Sequence, residues 1–159
     1  MIVLGGSSRQ SLAALRVALD NSLKGVSAGD ASAISSDLFK ALVAIDSSTG
    51  LRRALTDSSR DSSSKSDLIS DLFKKSLGGP ALGLLANATA LRWSAPSGIA
   101  DAIEQIAVEA EATAANLSNS LDQVQSEIFT FSKLLIENPD LRTALSERSQ
   151  SAEAKQSKL

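Results

Sequence analysis

Apolar residues recur three or four positions apart through nearly all of this chain, and that spacing confines it to helices. Leu12, Leu15, Leu19 and Leu23 make the first stripe, on a helix predicted from about Ser8 to Leu23 and capped by Ser7 or Ser8. Gly25 and Ser27-Ala28-Gly29-Asp30 read as the break after it. Ile34, Leu38, Ala41, Leu42 and Ile45 make the second stripe, over about Ser32 to Asp46. A short helix through Leu51, Ala54 and Leu55 follows, and the serine-rich Ser58–Ser64 reads as a solvated connector. The fourth helix, about Lys65 to Leu77, buries Leu68, Ile69, Leu72, Phe73 and Leu77, and Gly78-Gly79-Pro80 punctuates its end. That glycine pair is no phosphate cradle, because neither a preceding strand nor a following Lys-Ser/Thr accompanies it.

The fifth helix, about Ala81 to Trp93, carries Leu82, Leu84, Leu85, Ala86, Ala88, Ala90 and Leu91 around nearly its whole circumference. A helix apolar all round must be covered on all sides, so it is expected at the centre of the core. Trp93 reads as a packing residue. The sixth helix, about Ser97 to Asn119, lines Ile99, Ile103, Ile106, Ala110, Ala114 and Leu117 along one face. A seventh follows, with Leu121, Val124, Ile128, Phe131 and Leu135 in a seam of about two heptads, short of the roughly three to four that mark a coiled coil. Aromatics are only 3% of the chain, so Leu, Ile, Val and Ala must fill the core, and no hairpin dipeptide signals a strand. The expected fold class is all-α: a six-helix bundle over residues 1–119, then additional helices from a partial second repeat over 120–159.

The residues withheld exclude whole classes of function. Without Cys there is no disulfide, thiol nucleophile or cysteine metal site, and without His the commonest general base and zinc ligand are missing. No Asp-rich calcium loop occurs. No catalytic, cofactor-binding or metal-binding residue is therefore expected, and the chain reads as a binding module, not an enzyme. The formal net charge of −2 argues against nucleic acid as the main partner. Residues 1–92 hold eleven Lys/Arg against eight Asp, a net of +3, whereas 93–159 hold five against ten acids, a net of −5. Met1–Gly6 is too short an apolar run for a signal peptide, and no run approaches the roughly 20 residues of a membrane span. A soluble, cytosolic product is expected, without membrane insertion. The final Ser157-Lys158-Leu159 spells a peroxisomal signal, but the pattern stops inside a helical repeat, so a chain cut there is the expectation.

Sliding the chain against itself by ninety residues reveals a weak but ungapped match, expected of a duplication and open to mimicry by two convergent helical hairpins. Phe39 meets Phe129, Leu51-Arg52 meets Leu141-Arg142, and Ala54-Leu55 meets Ala144-Leu145; Ser59 meets Ser149 and Lys65 meets Lys155. In the second copy the frame reads Ile136-Glu137-Asn138-Pro139-Asp140-Leu141-Arg142-Thr143-Ala144-Leu145, then Ser151-Ala152-Glu153-Ala154-Lys155. This resembles the signature of the ATP synthase delta subunit family, whose mitochondrial counterpart is the oligomycin-sensitivity-conferring protein. Ser8–Leu15, Arg92-Trp93-Ser94 with Pro96, and Ala100–Ala110 are similar to the longer delta subunits of actinobacteria.

That resemblance implies a non-catalytic peripheral-stalk component of a rotary, hydrogen-ion-transporting complex that makes ATP. It implies a six-helix domain capping the catalytic head, with the N-terminal helix of an alpha subunit held in a groove between the first and fifth helices. The stalk b subunit would join only through a C-terminal region not present here, and the location implied is the cytoplasmic face of the bacterial plasma membrane. The groove is expected at Leu12, Leu15, Arg16 and Leu19 on the first helix and Leu85, Ala88, Leu91 and Arg92 on the fifth. On this expectation Leu15→Asp abolishes partner binding and leaves helicity intact. The residues alone also admit a stand-alone helical adaptor unrelated to ATP synthase, which explains the helices but not the ordered motifs.

Overall fold

A computed structural model describes residues 5–146, which form helices and, among those residues, no strand. The chain is all-α. The described residues fall into two compact units divided between Ser118 and Asn119. Met1–Leu4, the repeat partners Ser149 and Lys155, the Ser151–Lys155 motif and the last three residues lie outside the described range.

In the first unit run α1 (Gly6–Ser22), α2 (Ala28–Ser47), α3 (Thr49–Thr56), α4 (Ser62–Phe73), α5 (Gly79–Ala90) and α6 (Ser97–Leu117). The long helices α2 and α6 pack along one another, α4 lies on α5, and α1 touches both α5 and α6. The stripe arithmetic explains the core: Leu12, Leu15 and Leu19 of α1, Ile34, Leu38 and Ile45 of α2, Leu84 and Leu85 of α5, and Ile99, Ile103 and Ile106 of α6 share one buried cluster. Alanines at Ala41, Ala102, Ala107 and Ala110 let the helix axes approach closely. Gly98 serves the same end, since a Cβ there would sit 2.9 Å from the Ser8 hydroxyl.

The helix ends differ from the sequence expectation where short polar side chains intervene. Ser27-Ala28-Gly29-Asp30, read as a break, is the start of α2: Ser27 accepts from the Asp30 backbone N–H and Asp30 answers in a capping box. Asp61 caps α4 in the same way, accepting from the Ser64 backbone N–H at 2.8 Å, so the helix begins inside the serine run. Ser7 and Ser8 do not cap α1, which starts at Gly6 with Gly5 as its N-cap; their hydroxyls turn to Ser94. At Gly78 the backbone N–H donates to Asp37 Oδ2 at 2.7 Å, fixing the entry to α5. Helix α5 is also less enclosed than its composition implied, because Gly83, Asn87 and Ala90 face solvent.

The Leu-Arg-x-Ala-Leu frame has a local meaning in its first copy. The Arg52 guanidinium donates to the carbonyls of Ile45 and Asp46 and to Thr49 Oγ1, closing the open end of α2, while Leu55 is fully buried. Ser48 caps α3 by accepting from the Leu51 N–H at 3.1 Å. The second unit contains α7 (Leu121–Glu137) and α8 (Pro139–Ser146), which pack on each other. Asn119, at φ 56°, takes the left-handed turn between α6 and α7 that a side-chain amide tolerates.

Candidate functional site

The eight residues expected to line a groove do not share one environment. Leu12, Leu15, Leu19, Leu85 and Ala88 are 0–6% exposed and belong to the core of the first unit. In this chain by itself, the stripe of α1 and the inner face of α5 are thus spent on their own domain. Leu91 is half-buried against that core, just past the end of α5, and Arg92 is exposed. Arg16 is exposed too, but turns toward α6, where its Nε donates to Glu109 Oε1 at 2.7 Å and its Nη2 to Gln105. The bond to Glu109 raises the Arg16 pKa against the opposing pull of burial.

The edge of α1 nearest the end of α5 runs through other residues, of which Ser11 is buried, Ser7 and Ala18 half-buried and Ala14 exposed. Ser7, Ser11, Ala14 and Ala18 fall three or four apart along α1. The first two fix the direction of that line. Ser7 Oγ lies 2.7 Å from Ser94 Oγ, and Ser11 Oγ donates to the Arg92 carbonyl at 2.5 Å, both in the segment that follows α5. Ala14, exposed, and Ala18, half-buried, continue the same edge further along α1. On α5, Asn87 is exposed one turn before Leu91. The result is an edge of small side chains along α1. Ala14 and Ala18 do not stand out by period, because stripe counting rewards large apolar residues.

Trp93 behaves as expected of a packing residue: its ring is half-buried against the core and its Nε1 donates to the Ala88 carbonyl at 2.9 Å. Ser94 N–H donates to the buried Ser8 hydroxyl at 2.9 Å, so the start of α1 and the turn after α5 are clamped together. Nothing in this arrangement pairs a nucleophile with a base. Among the described residues no group of three or more His, Cys, Asp or Glu is placed to hold a metal ion, and no helix is long and apolar enough to cross a membrane. What the arrangement offers is surface: a small-residue edge bordered by fixed charges.

No family model matches the chain. Individual proteins do. It is 36% identical over 143 residues to the protein named ATP synthase subunit delta of Streptomyces avermitilis, covering 90% of this chain and 52% of that one. It is 34% identical over 152 residues to the delta subunit of Streptomyces griseus, covering 96% and 56%. The delta subunit of Kineococcus radiotolerans is 37% identical over 143 residues, covering 90% and 51%. The chain thus spans about half the length of the curated relatives it matches.

Proposed function

This chain is a relative of the ATP synthase delta subunits of actinobacteria, and on that premise we propose that it serves as a static, non-catalytic link in the peripheral stalk of such a complex. In this reading residues 1–119 form a docking domain that caps the catalytic head. It holds the N-terminal helix of an alpha subunit along the α1–α5 edge, over Ala14 and Ala18 on one side and Asn87 and Leu91 on the other. Arg92 stands at the end of that edge as a charged guide. The observation that carries the reading is the relatedness to delta subunits over at least nine-tenths of the chain in each of the three relatives above. The accessible small-residue edge supports it, because an amphipathic helix laid in a shallow groove is a recurrent recognition mode.

The role is mechanical. Anchoring the head against the torque of the rotor keeps ATP synthesis and hydrogen-ion transport coupled, with the chemistry carried out in other subunits. Placement is peripheral to the membrane, on its cytoplasmic side.

A titration with a synthetic peptide of the alpha subunit's first twenty or so residues, from the same organism, tests this mode of recognition. Trp93 fluorescence and calorimetry report it independently. The expected result is saturable one-to-one binding with a negative heat-capacity change from apolar burial, lost in Ala14→Arg. Absence of binding by a folded sample, or full binding by Ala14→Arg, refutes the edge.

A further inference from the structure

The turn Ser58–Arg60, the start of α4 and the segment after α5 enclose a cleft of about 470 Å³. Three cationic side chains line it, Arg60, Lys65 and Arg92, together with the hydroxyls of Ser58 and Ser62, and Trp93 forms part of a wall. No carboxylate lines it. Of the two acids nearest in sequence, Asp57 lies at the edge of the cleft, within 3.8 Å of Arg60, and both carboxylates are held by neighbouring serines. Asp57 Oδ1 accepts from the backbone N–H and hydroxyl of Ser59, and the Asp61 carboxylate accepts from Ser63 and Ser64.

Lys65 is the telling member. It is only 5% exposed, yet its ammonium makes a single 3.3 Å bond, to the Asp57 carbonyl, and no ion pair among the described residues. The Asp57 carboxylate acts on it only through space, without a direct ion pair, so two of its three donors are left for a ligand. Arg60 meets Asp57 only at 3.8 Å, and Arg92 has no ion pair among the described residues. The cleft is therefore charged, concave and polar, within the size range of about 300–1,000 Å³ typical of small-ligand sites.

We propose that this cleft binds a phosphate group, free or as the terminal group of a nucleotide. Arginine forks match a phosphate's oxygens in pairs, and the lysine supplies a point charge at the floor. The cleft adjoins the helix-docking edge and shares Ser7, Leu91 and Arg92 with it, but its ligand is held by this chain's own residues.

Calorimetric titration of the whole chain with inorganic phosphate, and separately with ATP, tests the proposal, with Trp93 fluorescence as a second readout. Saturable one-to-one binding of at least one of them is expected, weakening as salt is raised. Arg60→Gln and Arg92→Gln should each weaken it about tenfold or more, as loss of a charge-assisted hydrogen bond implies, with circular dichroism unchanged because both side chains are exposed. Equal affinity for the two ligands assigns the free oxyanion, and tighter binding of ATP assigns a nucleotide. No saturable binding of either, or binding that survives both substitutions, overturns the proposal.

Discussion

Leu15 and Ala14 are neighbours in sequence with opposite duties, and substituting each separates core from edge. Leu15 is 0% exposed, in the middle of the α1 stripe that meets α5 and α6. Leu15→Ala deletes buried carbons at about 0.8 kcal/mol per methylene and leaves a cavity, for a total of about 2–5 kcal/mol. A domain of this size has about 5–15 kcal/mol of stability to lose. The variant should therefore fold, with a denaturation midpoint clearly lowered and an unchanged slope against denaturant. Leu15→Asp adds a buried charge without a partner and should not fold, the reverse of the sequence expectation that it would keep its helicity. Ala14→Arg should leave the midpoint within about 0.5 kcal/mol, as surface changes do, and abolish binding of the alpha-subunit peptide. Urea titrations followed by far-ultraviolet circular dichroism measure all three. The reasoning fails if Leu15→Ala keeps wild-type stability while losing the peptide, for then Leu15 faces a groove and not the core.

Four other outcomes follow from named contacts. Ser27→Ala should cost about 0.5–2 kcal/mol through loss of the α2 capping box, read in the same urea titration. A double-mutant cycle on Arg16 and Glu109 should give no more than about 1 kcal/mol, shrinking with salt, because the pair is solvent-exposed. Burial pulls the Asp37 pKa up, but the N–H of Gly78 and the ammonium of Lys40 outweigh it and hold the carboxyl below its ordinary value. Its stabilising effect is thus complete above the ordinary carboxylate range and lost as pH falls through the lowered value. Thermal melts of Asp37→Asn should show a shallower acid limb than wild type and a loss of about 1 kcal/mol at neutral pH. Asp101 has the opposite sign: burial, and then the charge of Asp46, raise its pKa. Wild type therefore loses stability as pH rises from the ordinary carboxylate range through the raised value, and Asp101→Asn should melt higher at neutral pH.

Large apolar residues were legible in the sequence and small polar ones were not. The stripes of α1, α2 and α6 follow from period alone, because Leu and Ile at three- and four-residue spacing have one way to be buried together. The starts of α2 and α4 escaped because Ser-x-x-Asp and Asp-x-x-Ser look like turn chemistry until the backbone N–H that they satisfy is placed. Period also says that Leu12, Leu15 and Leu19 share a face, but not whether that face meets its own domain or a partner. That is decided by long-range packing of α1 on α5 and α6. The cationic cleft was invisible for the same reason: Arg60, Lys65 and Arg92 come together only when the α3–α4 turn folds onto the end of α5.

The ninety-residue correspondence takes this distinction one step further. The ninety-residue offset carries α3, Thr49–Thr56, onto α8, Pro139–Ser146, end for end, and α2 onto α7 apart from its first turn. The buried line of α2, Ala31, Ile34, Leu38, Ala41 and Ile45, corresponds to Leu121, Val124, Ile128, Phe131 and Leu135. Period and register are retained, but Leu121 stands where Ala31 does and Phe131 where Ala41 does. In the first copy those alanines sit fully buried on α2, the helix that packs along α6, and small side chains at such a contact permit interaxial distances near the lower end of about 8–10 Å. Leu and Phe at the same positions forbid that approach. In α7, Ile128 is 61% exposed and Phe131 37%. A helix lying on α7 must therefore stand farther off than α6 stands from α2, meeting protruding side chains instead of backbone. The second hairpin repeats the first in its spacing along the chain and departs from it in the size of the side chains on that line.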